Sequence, residues 1–126
     1  MKTQEIAERL VELCSQRDYK TCYDELYSDK VVSIESDGTT CIGLDEMAHK
    51  GRQWDASIQE LHSSEIGPPV VSGNYFSLAM NMIVTYKGAM GPVKFEEICI
   101  YHVKNGKIDK EQFFYDAPTS LDMEEE

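Results

Sequence analysis

The sequence predicts an α+β fold: three N-terminal helices packed in the concave face of a strongly curved, mixed but mostly antiparallel sheet. Three observations lead there. Apolar residues recur at helical spacing only in the first half of the chain, interrupted by one short hairpin. Residues 75–86 alternate without a break, and Asn105-Gly106 separates two further long strand-like runs. Segregated helices and strands exclude a doubly wound parallel sheet. Three helices cannot cover both faces of four long strands, so the sheet must curl around them and leave its outer face uncovered.

Each element has its own signal. Ile6, Leu10, Leu13 and Cys14 fall on one helical face, so residues 3–15 read as an amphipathic helix. Asp18 can cap a second helix, with Tyr19, Cys22, Tyr23, Leu26 and Tyr27 on its buried side. Only a few polar residues join the two, which predicts an αα-hairpin. Val31-Val32-Ser33-Ile34-Glu35 is a short strand by its β-branched content, Asp37-Gly38 a turn, and residues 39–42 the returning strand. A third helix over 44–58 places Leu44, Met47, Ala48, Gly51, Trp54 and Ile58 along one stripe. A strand over 59–66 ends at Gly67-Pro68-Pro69. Phe76, Leu78, Met80, Met82, Val84 and Tyr86 then mark one face of a long strand. Strands over 93–104 and 107–115 follow, joined by Asn105-Gly106, the strongest hairpin signal in the chain.

At 126 residues the chain is one domain, large enough to bury a core without disulfides or metals. It carries 23 acidic against 12 basic side chains, a formal net charge of -11. Such a surface repels phosphate backbones, which argues against nucleic-acid binding and against strongly anionic substrates. Part of the excess lies in the acidic tail, taken as residues 118–126 behind a domain at 1–117. No run approaches the about 18 apolar residues of a membrane span, and no apolar leader opens the chain. Cys14, Cys22, Cys41 and Cys99 form no C-x-x-C pair and lie among apolar neighbours, so they read as reduced core residues of a cytoplasmic protein. His49, His62 and His102 lack metal-ligand spacing, and no phosphate loop or dinucleotide fingerprint is present, so neither metal nor cofactor is expected. Phe113-Phe114-Tyr115 puts aromatics on both faces of the last strand, and the outward one predicts a homodimer through the outer sheet face.

The element order and several local motifs resemble the nuclear transport factor 2-like superfamily, and within it the SnoaL-like proteins and ketosteroid isomerase. The resemblance spans residues 3–117. It rests on Asp18-Tyr19, the run from Glu25 to Val32, Gly43-Leu44-Asp45-Glu46-Met47, the stretch from Glu96 to Ile108, and Gln112-Phe113-Phe114-Tyr115. It implies a cone-shaped α+β barrel around a small-molecule pocket. It implies no one reaction, because isomerases, cyclases, hydratases, hydrolases and transport factors share this fold.

By the same resemblance Glu35 matches the isomerase's general base, a carboxylate that removes a proton beside a carbonyl. The other reading makes Glu35 a solvated residue of the turn that follows it. The isomerase's oxyanion donors fall on Leu10 and Cys99, which donate nothing or little, so a steroid isomerase of the usual design is not expected. Tyr101, on the same strand face as Cys99, is the available substitute. Glu97 and Glu111 are further inward-facing carboxylate candidates if their strand faces look into the fold, or surface partners of Lys94, Lys104 and Lys110 if they do not. Trp54, Phe76, Met80 and Met82, with Cys99, Glu111, Phe113 and Tyr115, would line the pocket, although aromatics and methionines at such spacing are also what a plain core requires. Three functions stay open: an acid/base enzyme on an apolar, carbonyl-bearing metabolite, a non-catalytic binder of an apolar ligand, and a protein-interaction module.

Overall fold

A computed structural model describes residues 1–121. Helix α1 (Thr3–Ser15) buries Ile6, Ala7, Leu10 and Leu13, as the apolar spacing predicts. The Glu5 carboxylate accepts the Lys2 backbone N–H at 2.9 Å, occupying a donor that the first helical turn would otherwise leave free. Helix α2 (Tyr19–Leu26) starts at Asp18, whose carboxylate accepts the Thr21 backbone N–H at 3.2 Å. Arg9 forks onto Glu25 with both contacts at 3.0 Å, linking the two helices on the solvent side.

Strand β1 (Tyr27–Ile34) begins directly after α2, four residues before the β-branched run that marks it in the sequence. Tyr27 therefore belongs to the sheet and not to the helix. Its side chain is drawn inward by a buried hydrogen bond, and a register shift between Tyr27 and Val32 absorbs the polar residues between them. Strand β2 (Thr40–Ile42) returns antiparallel to β1. Helix α3 (Leu44–Ser57) follows, and Gly43 before it has φ 91°, a left-handed angle that favours glycine. Strands β3 (Ile58–Ile66), β4 (Val70–Ser72), β5 (Tyr75–Tyr86), β6 (Val93–Lys104), β7 (Lys107–Tyr115) and β8 (Thr119–Ser120) complete the fold. Asn105 and Gly106 both have positive φ, 52° and 75°, the backbone that an Asn-Gly hairpin turn needs.

The sheet runs β2-β1-β7-β6-β5-β3, with β4 added on β5 and β8 on β6. All pairs are antiparallel except β1 with β7. The two end strands, β2 and β3, do not pair with each other, so the expected barrel is an open, strongly bent sheet. Two register shifts between β3 and β5 bend it where it wraps the helices. Thr119–Ser120 pairs with Val93 and Lys94, which carries sheet pairing past residue 117, while residues 122–126 lie outside the described part.

The core fills the narrow end of the bend. Phe76 and Tyr101 stack there at 4.7 Å with their planes 16° apart, and Leu10, Leu26, Leu78 and Ile108 close around them. All four cysteines are free thiols; Cys22 and Cys99 are buried, and Cys14 and Cys41 half-buried. Among the described residues no helix is long and apolar enough to cross a membrane. Asp18→Ala is expected to cost about 1 kcal/mol of stability through the lost α2 cap, read from urea denaturation midpoints.

Candidate functional site

Strand alternation places Glu97, Cys99 and Tyr101 of β6 and Glu111, Phe113 and Tyr115 of β7 on the concave face. Burial grades along that face. Cys99, Tyr101 and Glu111 are buried at the narrow end, whereas Glu97, Phe113 and Tyr115 are half-buried toward the wide end. Glu35, just past β1, shares the wide end, because the Tyr115 hydroxyl donates to its Oε2 at 2.9 Å. All three carboxylates raised by the sequence thus face inward, and Glu97 and Glu111 do not pair with surface lysines; Lys94 contacts Glu96 instead, at 3.7 Å.

A chain of polar contacts joins them. Glu111 accepts the Tyr27 hydroxyl at 2.6 Å and the Ser33 hydroxyl at 2.7 Å. The Ser33 oxygen in turn accepts from Lys50 Nζ at 3.2 Å, and Lys50 forms a close ion pair with Glu35 Oε1. Lys50 reaches these groups from α3, with its ammonium 5.3 Å from the centre of the Phe113 ring. Burial raises the pKa of Glu111, and the donated hydrogen bonds from Tyr27 and Ser33 oppose the shift.

Glu97 is different. Burial pushes its pKa up to about 7, a thiol hydrogen bond from Cys99 pulls the other way, and the nearby charges of Glu35 and Glu111 push it further up. Lys50 is near enough to lower it, yet among the described residues no cation is in salt-bridge contact with Glu97. In register it faces Tyr115 on one side and Met80 on the other, while Phe95 and Met82 pair one step nearer the mouth.

The residues expected to form a site separate into two groups. Glu35, Tyr115, Phe113, Met80 and Met82 occupy the half-buried wide end, and Trp54 lies half-buried on α3. Phe76, Cys99 and Tyr101 are sealed in the core at 1%, 0% and 2% exposure, and Glu111 at 4% is spent on Tyr27 and Ser33. Tyr101 stands four strand residues from Glu97, about 13 Å along β6, so the hydroxyl on Glu35 comes from Tyr115. The role expected of Tyr101 as partner to Glu35 is not what the fold offers. Lys50 and Ser33 were not singled out. Lys50 follows Met47 by three residues and precedes Trp54 by four, so it lies on the inward stripe of α3, and that spacing was the available signal.

The largest measured cavity is elsewhere: an open groove of about 830 Å³ at the narrow end, between the start of α1 and the β6–β7 turn. It contains His102, whose Nδ1 is 2.6 Å from Asp109. A smaller hollow of about 60 Å³ lies on the outer face by Tyr75 and Ile100. Among the described residues no group of His, Cys, Asp and Glu is arranged to hold a metal.

The sequence profile of the SnoaL-like domain matches residues 1–115. The chain belongs to the SnoaL-like domain family. It therefore lies within the nuclear transport factor 2-like superfamily. A proposed SnoaL-like polyketide cyclase of Mesorhizobium loti, also labelled a carbohydrate phosphatase, is 30% identical with a TM-score of 0.84, over 91% of this chain and 100% of that one. A ketosteroid isomerase-like protein of Catenulispora acidiphila, in complex with trimethylamine, has 17% identity and a TM-score of 0.73 over 90% and 86% of the two chains. A nuclear transport factor 2-like protein of Burkholderia thailandensis reaches 0.81 at 13% identity, over 92% of each. These last two likenesses show the fold alone. No curated protein matches the chain.

The Glu97 proton has a thermodynamic signature. The folded state holds it more tightly than the unfolded chain, where a glutamate titrates near 4.5. Its stabilising effect is complete below that value and is lost as pH rises through about 7. At about 1.4 kcal/mol per tenfold change in proton affinity, the loss is at most about 3 kcal/mol. Glu97→Gln is expected to flatten the fall in stability between pH 5 and 8, leaving a residual slope of the same sign from Glu111; chemical denaturation at a series of pH values reads both.

Proposed function

We propose that the wide end of the bent sheet is the site of a small acid/base enzyme acting on an apolar, carbonyl-bearing metabolite, with Glu97 as the proton-transferring group. One observation carries this reading: Glu97 faces inward among Met80, Phe95 and Tyr115, free of a cationic partner among the described residues, with its pKa raised to about 7. A general base works best when its pKa lies near the operating pH. Both oxygens of Glu35 are occupied, one by Lys50 and one by the Tyr115 hydroxyl. That moves the role of base, first assigned to Glu35, one step across the site, and makes Glu35 the anchor of Lys50 and Tyr115.

In the proposed step a C–H bond beside a carbonyl breaks, its proton passes to a Glu97 oxygen, and the electron pair moves onto the carbonyl oxygen. The proton then returns to carbon, or the carbanion attacks a second carbonyl to close a ring. Ring closure fits the Mesorhizobium loti relative, which is described as a polyketide cyclase. The half-buried walls of Trp54, Met80, Met82 and Phe113 supply apolar contact for such a ligand. Phe76, Cys99 and Glu111 support those walls from behind.

With a panel of enolisable ketones and β-diketones, deuterium exchange from solvent reads the proton transfer directly. Turnover by the wild type is expected to rise with pH and level off above about 7, and Glu97→Gln to lower it by about 10²–10⁴-fold. Unchanged exchange in that variant removes Glu97 as base and leaves a ligand-binding protein without catalysis.

The outer face favours a second property. Ile98 and Phe114 are register partners at 52% and 45% exposure, flanked by Ile100 and Tyr75 at 38% and 54%. Four large apolar side chains on one uncovered sheet face form a self-complementary patch, and we propose that two copies of the chain pair there. The free thiols place this dimer in the cytoplasm as part of the same proposal. Sedimentation is expected to give a dimer at micromolar concentration and a monomer for Ile98→Glu with Phe114→Glu; a wild-type monomer removes the pairing.

A further inference from the structure

We infer that Lys50 is a catalytic residue that receives the carbonyl oxygen of the ligand, its third N–H directed into the wide end of the sheet. The inference rests on the proposed reading of that end as the site. An ammonium has three donors. Glu35 Oε1 and Ser33 Oγ take two of them, and among the described residues no third acceptor is in contact. The Lys50 side chain keeps 30% exposure, so its free donor is reachable from the opening.

Its position is fixed from three sides. Glu35 is itself held by the Tyr115 hydroxyl, Ser33 is held by buried Glu111, and the Phe113 ring lies beneath the ammonium at 5.3 Å. A donor immobilised before the substrate arrives needs no rearrangement when negative charge develops, which is what electrostatic catalysis requires. Lys50 and Glu97 are close enough for their charges to interact, yet not in contact. The space between them suits a carbonyl group and its neighbouring carbon: oxygen on Lys50, acidic C–H toward Glu97. The ligand class that fits is a neutral enolisable carbonyl compound, and a phenol mimics its enolate.

The probe is 4-nitrophenol, whose ionised form absorbs in the visible. Its proton passes to an acceptor such as Glu97 or buffer, and its oxyanion takes the Lys50 donor. Titrated into wild-type protein just below its own pKa, bound 4-nitrophenol is expected to ionise about ten- to a hundredfold more readily than free, the gain of one charge-assisted hydrogen bond. Glu35→Gln should keep the effect, and Lys50→Met combined with Glu35→Gln, which leaves no unpaired charge behind, should abolish it. Binding without extra ionisation, or ionisation that survives in the double variant, overturns the role of Lys50 and leaves the site standing. No saturable binding to the wild type at millimolar concentration removes the site and the inference together. If the double variant does not fold, the ¹⁵Nζ resonance of Lys50 in the wild type decides: it must move when 4-nitrophenol binds, and a stationary resonance refutes the contact.

Discussion

Glu111 is the group on which the rest of the interior depends. It sits on β7 at the one parallel junction of the sheet, opposite Ser33 of β1, and it is almost wholly withdrawn from water. A buried carboxyl is tolerable only when its oxygens are hydrogen-bonded. Tyr27 and Ser33 meet that need, and both come from β1. The same two bonds therefore solvate the carboxyl and fix how the N-terminal strand docks on the C-terminal one. An unmatched group left behind by losing any member would cost about 1–3 kcal/mol. This explains why β1 starts at Tyr27, ahead of its β-branched run: the tyrosine hydroxyl has to reach Glu111.

From there the polar contacts spread outward. Ser33 passes the constraint to Lys50, and so positions α3 against the sheet. Lys50 holds Glu35, and Glu35 holds Tyr115 at the far end of β7. Each carboxyl on the concave face ends in a distinct setting. Glu111 is sealed and hydrogen-bonded, Glu35 is ion-paired, and Glu97 has neither kind of partner among the described residues beyond a weak thiol donor. Burial without compensation is what lifts Glu97 toward neutral pH, and uneven environments for like groups are how acid and base roles are divided.

The architecture was largely legible because its signals are local. Strict alternation over 75–86, the Asn105-Gly106 turn and the Asp18 cap each follow from backbone geometry within a few residues, and each element stands where those signals put it. The start of β1 was not legible, since Tyr27-Ser28-Asp29-Lys30 has no strand pattern and is held by a contact 84 residues away. The site was legible only in part. Parity placed Glu97, Glu111, Phe113 and Tyr115 on shared faces, but it could not say how deep each lies along the bend. Tyr101 and Tyr115 are both inward tyrosines, and only the open end of the sheet distinguishes a core ring from a wall hydroxyl. Lys50 was hidden because a lysine on a helix normally reads as solvated; its place on the Met47–Trp54 stripe becomes meaningful once Glu35 and Ser33 stand opposite.

A direct test of this electrostatic picture is a ¹³C NMR titration of the glutamate carboxyls, with Glu97 assigned by its absence from the Glu97→Gln spectrum. The account requires the Glu97 carboxyl to titrate near 7, well apart from the surface glutamates. A Glu97 signal that titrates together with the surface glutamates, near 4.5, would mean that this carboxyl stands in water, and the proposed chemistry would have no base.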